Sequence, residues 1–207
     1  MRVVFIQYGR DITCALMMVE SCKRLGYEVW QLSDDVAPKV EGVDVIMREP
    51  MHGGRMMYRA RRLAEMPAPY VLLDTDMIVS RDISDGMEGD HDVALSWRGR
   101  NMVIVKGETE PVYMPYNGGL VFVKNQEFMR DCLKNMEGQA PKWQDWYGDQ
   151  LALRDVAKSG KYKVLELREG KWNYVPETLS HVFPDVKIYH FKGLRKNMMP
   201  DFAKVAA

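Results

Sequence analysis

The distribution of apolar residues predicts alternating strands and helices in the first half of the chain. Residues 3–8 (VVFIQY) form a run rich in β-branched side chains, which is typical of a buried strand. After Asp11, which can cap a helix, apolar residues recur at helical spacing and predict one apolar face: Ile12, Ala15, Leu16, Val19 and Cys22. Gly26 ends this helix, and residues 27–32 read as the second strand.

The remaining pattern completes an α/β order. A third strand at 43–47 precedes an arginine-rich helix at about 54–65 and an uninterrupted apolar run at 69–76, which is typical of a strand covered on both faces. Further strands are predicted at 92–97, 101–106, 119–124, 164–167 and 186–190, and further helices at 125–136 and 149–158. We expect one α/β/α sandwich over residues 1–207, with a mixed sheet closed by the last two strands and a C-terminal tail at 197–207.

Composition narrows the functional class. Lys+Arg and Asp+Glu both number 29, and this balance argues against a protein that mainly coats nucleic acid or an anionic membrane. The three cysteines lack metal-cluster spacing, which favours a reduced compartment. The N-terminal apolar stretch is too short for a signal peptide, and no run reaches the roughly 18 residues of a membrane span. We therefore expect a soluble cytoplasmic protein.

The strongest local signal is the sequence Leu73-Asp74-Thr75-Asp76 at the end of the apolar run. Side chains two apart in an extended segment point to the same side, so Asp74 and Asp76 can converge on one cation. Open α/β sheets place their ligands at this end of their strands, and carboxylates suit Mg²⁺ or Mn²⁺ bridging to phosphate. The alternative is a solvated strand end, because D-x-D also occurs by chance.

A second motif lies near the C-terminus. His190 ends a predicted strand and is followed by Gly193 and Lys196 in the pattern H-x-x-G-x-x-K. An imidazole can complete the coordination of manganese. Glycine permits close backbone approach to a diphosphate, and lysine supplies charge to its oxygens. These three residue types together favour a site for a metal and a phosphate.

Several motifs, in this order, resemble those of the GT-A glycosyltransferases, specifically the retaining family 8 type that includes glycogenin and bacterial lipooligosaccharide galactosyltransferases. The matching segments are YRARRLAEMP (58–67), LLDTDMIV (72–79), YNGGLVFVKN (116–125), GDQ (148–150) and HFKGLRK (190–196). The segment that binds the nucleotide in the family is matched loosely by residues 7–11. The resemblance implies a GT-A fold, a nucleoside-diphosphate sugar donor with uracil as the expected base, and transfer of a hexose-type sugar with retention of configuration.

The resemblance also implies roles for individual residues. The metal ligands for Mn²⁺ or Mg²⁺ would be Asp74, Asp76 and His190. The donor would contact Tyr8, by stacking on the base, and also Arg59, Asp74, Asn117, Gly118, Gly193 and Lys196. Asp149 and Gln150 would lie beside the reacting carbon, and either could attack it or stabilise an oxocarbenium-like state. Asp149 alternatively serves as a helix N-cap.

The acceptor is less constrained. The aromatic residues Trp143, Trp146 and Tyr147 precede GDQ and could stack on a sugar or cover the core. They favour a glycan or small hydroxyl acceptor. Arg55, Arg59 and Arg62 share one helical face, where one residue should meet the donor and the others are expected to be solvated. A nucleic-acid acceptor is therefore less favoured.

Other enzyme and binding classes compete with this interpretation. A haloacid-dehalogenase-like phosphatase also uses Asp-x-Asp, but near its N-terminus and with a later acidic pair, whereas here the position four after Asp149 is Leu153. A nucleotidyltransferase would bind a nucleotide through metal without needing Asn117, Gln150 and His190. A DNA-modifying glycosyltransferase and a non-catalytic sugar-nucleotide binder on the same fold also remain open.

Overall fold

The computed structural model describes residues 1–99, 101–104, 109–145 and 147–205. The strands are β1 Arg2–Gln7, β2 Glu28–Ser33, β3 Val45–Arg48, β4 Tyr70–Leu73, β5 Met77–Val79, β6 Val93–Trp97, β7 Met102–Val103, β8 Val112–Tyr113, β9 Tyr116–Val123, β10 Val164–Arg168 and β11 Ile188–His190. The α-helices are α1 Thr13–Arg24, α2 Arg55–Glu65, α3 Gln126–Glu137, α4 Pro141–Asp145, α5 Gly148–Lys158, α6 Glu169–Trp172 and α7 Met199–Val205. In the described part of the chain, 3-10 helices span Ser84–Met87 and Gly193–Met198.

A seven-stranded mixed sheet forms the centre, in the order β10-β6-β9-β4-β1-β2-β3. Strand β9 runs antiparallel to both of its neighbours, β4 and β6, and the other adjacent pairs are parallel. All residues of β4 and β9 are buried, as expected for strands with helices on both faces. The predicted mixed α/β sheet is thereby confirmed.

Two apolar layers enclose this sheet. Helices α2, α3 and α5 cover one face through side chains such as Leu63, Phe128 and Leu153. Helix α1 covers the other face together with β5 and Trp172 of α6. Within α1, the predicted apolar residues Ala15, Val19 and Cys22 are buried, whereas Leu16 is exposed. The carboxyl ends of β1 and β4 therefore open between α1 and α2, where an α/β sheet places its ligands.

Two predicted strands differ in the structure. Strand β11 does not close the central sheet. It pairs antiparallel with β5, with His190 opposite Met77, because the chain leaves the sheet after Leu73 at the polar Asp74–Asp76 segment. The strand predicted at 101–106 is observed only as β7, which pairs with β8, and residues 105 and 106 lie outside the described ranges.

The segment expected to be a C-terminal tail contains helix α7. Its residues Met199 and Phe202 are fully buried, and the Phe202 ring packs 4.7 Å from the Tyr189 ring and 5.1 Å from the Phe191 ring, centroid to centroid. The sequence did not predict this helix, because its seven residues are too few to establish a helical period. Among the described residues, none of the helices has the length and apolar character needed to cross a lipid bilayer.

We predict that α7 contributes to the stability of the fold. Phe202→Ala should lower the free energy of unfolding by about 3–5 kcal/mol, because it leaves a cavity beside β11. Val205→Ala on the same helix is the control; Val205 is 58% exposed, so the change should stay within about 0.5 kcal/mol. Urea unfolding followed by circular dichroism measures both. Equal midpoints for the two variants would show that α7 is only loosely attached.

Candidate active site

The acidic motif and the C-terminal histidine meet through the pairing of β5 with β11. The backbone N–H of Asp74 donates to Gly119 O at 2.8 Å, which places the loop after β4 beside β9. Asp76 immediately precedes β5, and its carbonyl accepts a hydrogen bond from the N–H of Phe191 at 2.8 Å. His190 consequently lies beside Asp76, with Nε2 at 3.2 Å from Oδ1. The juxtaposition expected from the sequence is present.

Asp74, Asp76 and His190 form a group that fits a divalent cation. One potential ligand atom from each residue lies within 4.8 Å of the others. Two carboxylate oxygens and an imidazole nitrogen are a donor set that Mn²⁺ accepts readily. The side chain of Asp76 is 10% exposed and that of Asp74 is 30% exposed, so the group is open on the Asp74 side.

The histidine is oriented by two residues that the motifs did not reveal. Asn173 Oδ1 lies 2.7 Å from His190 Nδ1, while Asn173 Nδ2 donates to Ser96 Oγ at 2.9 Å. Because Oδ1 is an acceptor, Nδ1 carries a hydrogen, and Nε2 is the nitrogen turned toward Asp76. Asn173 and Ser96 are fully buried. Such partners fix the ring of a metal-ligating histidine.

Asp76 is held in its ionised form. Burial opposes ionisation, but hydrogen bonds and charge from His190 and Lys196 outweigh it and lower the pKa of Asp76. Lys196 Nζ lies 2.9 Å from Asp76 Oδ2. Lys196, which was expected to contact a diphosphate, therefore contacts the candidate metal ligand Asp76. It lies three residues after Gly193, whose backbone is left-handed (φ 60°).

Arg59 links the two acidic sides of the site. Its Nη1 lies 2.7 Å from Asp74 Oδ1, its Nε lies 3.9 Å from Asp149 Oδ2, and its Nη2 donates to Gly118 O at 2.5 Å. The side chain is 11% exposed. A donor contact was expected for this arginine. In the structure its guanidinium also serves as the buried countercharge of two carboxylates.

Close packing in the Asn117-Gly118-Gly119 segment explains its glycines. A Cβ at Gly118 would lie 2.7 Å from Asp149 Oδ2, and a Cβ at Gly119 would lie 2.5 Å from Asp74 Oδ2. Asn117 is buried, and its Oδ1 accepts the N–H of Gly119 at 2.8 Å. Only glycine allows β9 to approach both carboxylates this closely.

Asp149 and Gln150 lie in the first turn of α5. The helix cap position belongs to Tyr147, whose backbone is left-handed (φ 66°), so Asp149 is not the N-cap that the sequence offered as an alternative. Burial raises the pKa of Asp149, with Asp74 adding to the shift and Arg59 opposing it. Gln150 Oε1 accepts a hydrogen bond from Arg98 Nη2 at 2.5 Å.

A cavity of about 360 Å³ adjoins the acidic loop between the end of β1 and the start of α1. Its lining includes Tyr8, Cys14, Arg55, Thr75 and Lys196. The hydroxyl of Tyr8 donates to Arg55 O at 3.0 Å, and its ring packs edge-on against Tyr58 at 5.9 Å. The size lies within the range of small-molecule sites.

The acceptor candidates are only partly described. Trp143 lies in α4, half-buried, with Lys142 Nζ 5.4 Å from its ring centroid, and Trp146 lies outside the described residues. Tyr147 is half-buried beside Gly148. A Cβ at Gly148 would lie 2.2 Å from Trp143 O, so this turn is tightly packed.

The expectation of a solvated Arg62 is wrong. Arg62 is 8% exposed and forms ion pairs with Glu49 and Glu65. Helical spacing placed it on the arginine face but could not show that Glu49, from the segment after β3, covers that face.

The fold is shared with known glycosyltransferases. No model of a known protein family and no curated protein matches the chain. Among solved structures, the galactosyltransferase LgtC in complex with donor and acceptor sugar analogues aligns with a TM-score of 0.62 and 15% identity, over 99% of this chain and 96% of that one. A glycosyltransferase involved in glycosylation of the major capsid of PBCV-1 gives 0.65 and 13%, over 99% and 98%. GlyE of Streptococcus pneumoniae TIGR4 gives 0.58 and 16%, over 99% and 61%. The predicted GT-A fold is confirmed.

We predict that Asn173 controls metal affinity through His190. Asn173→Ala should weaken Mn²⁺ binding about 10- to 100-fold, because the imidazole loses the partner that fixes its orientation. Calorimetric titration with Mn²⁺ alone measures this effect. Asn125→Ala is the matched control. Asn125 Oδ1 accepts a hydrogen bond from the N–H of Glu127 at 3.1 Å and caps α3, so its loss should lower stability without changing the site. Equal Mn²⁺ affinity in both variants would contradict a role for Asn173.

Proposed function

We propose that the protein is a metal-dependent glycosyltransferase. It transfers a hexose-type sugar from a nucleoside-diphosphate sugar, with a UDP-sugar as the expected donor, to a hydroxyl acceptor with retention of configuration. The observation that carries this proposal is the convergence of Asp74, Asp76 and His190 with Lys196, which itself lines the adjoining cavity, in a GT-A fold. A nucleoside diphosphate requires such a combination of a cation site, a further positive charge and room for the base.

The proposed donor orientation follows from the arrangement of charges. The nucleoside would occupy the cavity lined by Tyr8, and the diphosphate would lie between the three ligand candidates and Lys196. A divalent ion bound there supplies a Lewis acid that stabilises charge on the leaving diphosphate. Lys196 would exchange its contact with Asp76 for a phosphate oxygen, which adds positive charge where negative charge develops. Backbone amides near Gly193 can approach the same oxygens closely.

The transferred sugar would lie over Asn117 and Gly118, next to the first turn of α5. Asp149 Oδ2 lies 3.9 Å from Arg59 Nε, within the interior of the protein. Burial raises the pKa of Asp149. A carboxylate in this position can stabilise an oxocarbenium-like state through its charge. Arg59 would keep Asp74 and Asp149 apart and aligned, which is a positioning role toward the reaction.

A glycan or small hydroxyl compound is the proposed acceptor. Trp143 and Tyr147 lie next to the turn that carries Asp149 and offer aromatic faces of the kind that stack on sugar rings. The burial of Arg62 in ion pairs removes one cation from the surface that a nucleic-acid backbone would need. Arg55 and Arg61 remain exposed on α2. A neutral acceptor is therefore favoured over DNA.

The proposal predicts release of a nucleoside diphosphate. The protein should be incubated with Mn²⁺ and a panel of nucleotide sugars, with water as the default acceptor, and the products identified by mass spectrometry. We expect a nucleoside diphosphate and free sugar from at least one donor, dependent on Mn²⁺. Asp76→Asn should weaken Mn²⁺-dependent donor binding by more than the roughly 10- to 100-fold expected for loss of a residue that only orients a metal ligand, such as Asn173.

The control variant and the alternative functions predict different donor binding and different products. Asp90→Asn removes a carboxylate that is 89% exposed, and it should leave donor binding unchanged. A nucleotidyltransferase would instead release pyrophosphate from a nucleoside triphosphate and a sugar phosphate. Donor binding without any product would indicate a non-catalytic binder. Equal Mn²⁺-dependent donor affinity in Asp76→Asn and the native protein would refute the metal site.

A further inference from the structure

Arg98, which follows β6 directly and belongs to none of the sequence motifs, connects two of the segments that form the site. Its Nη2 donates to the carbonyls of Met114 and Tyr116, at 3.2 and 2.9 Å, and to Gln150 Oε1 at 2.5 Å. Its backbone N–H donates to Pro115 O at 2.7 Å. The guanidinium therefore ties the start of β9 to the first turn of α5.

The contact with Arg98 determines how the carboxamide of Gln150 is turned. A guanidinium has donors and no acceptor, so the Gln150 atom that it contacts has to be the carbonyl oxygen. The amide nitrogen, on the other branch of the same planar group, is then directed away from Arg98. Gln150 Cγ lies 3.8 Å from the position of a Cβ on Gly118, which places this side chain against the segment proposed to face the transferred sugar.

Arg98 is itself a constrained cation. Burial lowers its pKa, but arginine stays protonated at neutral pH because its intrinsic pKa is so high. Its Nε is buried and makes no hydrogen bond among the described residues. A charged donor at 2.5 Å binds the amide oxygen more strongly than a neutral donor would, which makes the rotamer of Gln150 costly to change.

We propose that Arg98 is a positioning residue that occupies the carbonyl oxygen of Gln150, so that Gln150 serves the transferred sugar as a hydrogen-bond donor through Nε2. This role rests on the proposed glycosyltransferase function. The charged hydrogen bond engages one of the two lone pairs of Gln150 Oε1 and draws electron density from this oxygen, which makes it a poor nucleophile toward carbon. Gln150 consequently forms no covalent bond in the reaction and directs its N–H toward an oxygen of the sugar.

A double-mutant cycle tests this coupling. Arg98→Met, Gln150→Met and the double variant are compared for kcat of nucleoside-diphosphate release from the active UDP-sugar with Mn²⁺, and for donor Kd by calorimetry. Each single change should lower kcat roughly tenfold or more, with Kd within about twofold of the native value, because the lost contact acts on the reacting sugar. The double variant should be no slower than Gln150→Met, because Arg98 acts through Gln150.

A purely structural role for Arg98 gives a different pattern. If Arg98→Met only loosened the segment before β9, it would lower kcat by the same factor in the Gln150→Met variant as in the native protein. The kcat losses of the two single variants would then multiply in the double variant, and this result would overturn the proposal. Asn101→Ala is the matched control, because Asn101 Nδ2 also donates to Met114 O, at 3.1 Å, and kcat should stay near native. If Arg98→Met does not fold, Arg98→Leu, which also lacks a hydrogen-bond donor, replaces it in the cycle.

Two further outcomes separate the proposal from the function on which it rests. A sugar adduct on Gln150, detected by intact-mass and peptide mass spectrometry after mixing with donor, would overturn the donor role while leaving the transferase function in place. Failure of the native protein to release nucleoside diphosphate from any nucleotide sugar would remove the proposed function, and this role with it. Multiplied losses in an active enzyme would remove only the role of Arg98.

Discussion

The antiparallel pairing of β5 with β11 is the constraint on which the candidate site depends. It sets His190 opposite Met77, one residue beyond Asp76, and so brings the acidic loop against the C-terminal segment. The two strands pack with α7 in one apolar cluster, in which Ile78, Tyr189 and Phe202 are buried. Loss of register by one residue would turn His190 to the opposite face. Packing of the last helix is therefore linked directly to the candidate metal ligands.

The charges around this pairing are balanced by partners within the protein. Arg59 pairs with Asp74 at 2.7 Å and lies 3.9 Å from Asp149 on one side, and Lys196 pairs with Asp76 on the other. Because each carboxylate already has a cation beside it, the site can remain folded with neither ion nor donor bound, and we expect ligand binding to exchange these partners. A buried acid without such a partner would be protonated or would destabilise the fold.

The sequence predicted the parts of this structure that depend on local patterns. The apolar run before Asp74 and the H-x-x-G-x-x-K pattern at His190 indicated the two halves of the site, and most strands followed from periodicity. Asn173, Ser96 and Arg98 were missed, because a single buried polar residue carries no pattern until its partner is known. The error at Arg62 had the same origin, since its ion pair with Glu49 is a tertiary contact. The position of β11 outside the sheet likewise depends on pairing that no local window contains.

We propose that Asp74, Asp76 and His190 bind one divalent ion together with a nucleoside diphosphate. Anomalous diffraction at the manganese edge from crystals grown with Mn²⁺ and UDP tests this most directly. We expect one anomalous peak in contact with all three side chains, and Lys196 moved from Asp76 to a phosphate oxygen. A peak elsewhere, or diphosphate bound while Asp76 remains paired with His190 and Lys196 and contacts no ion, would contradict it.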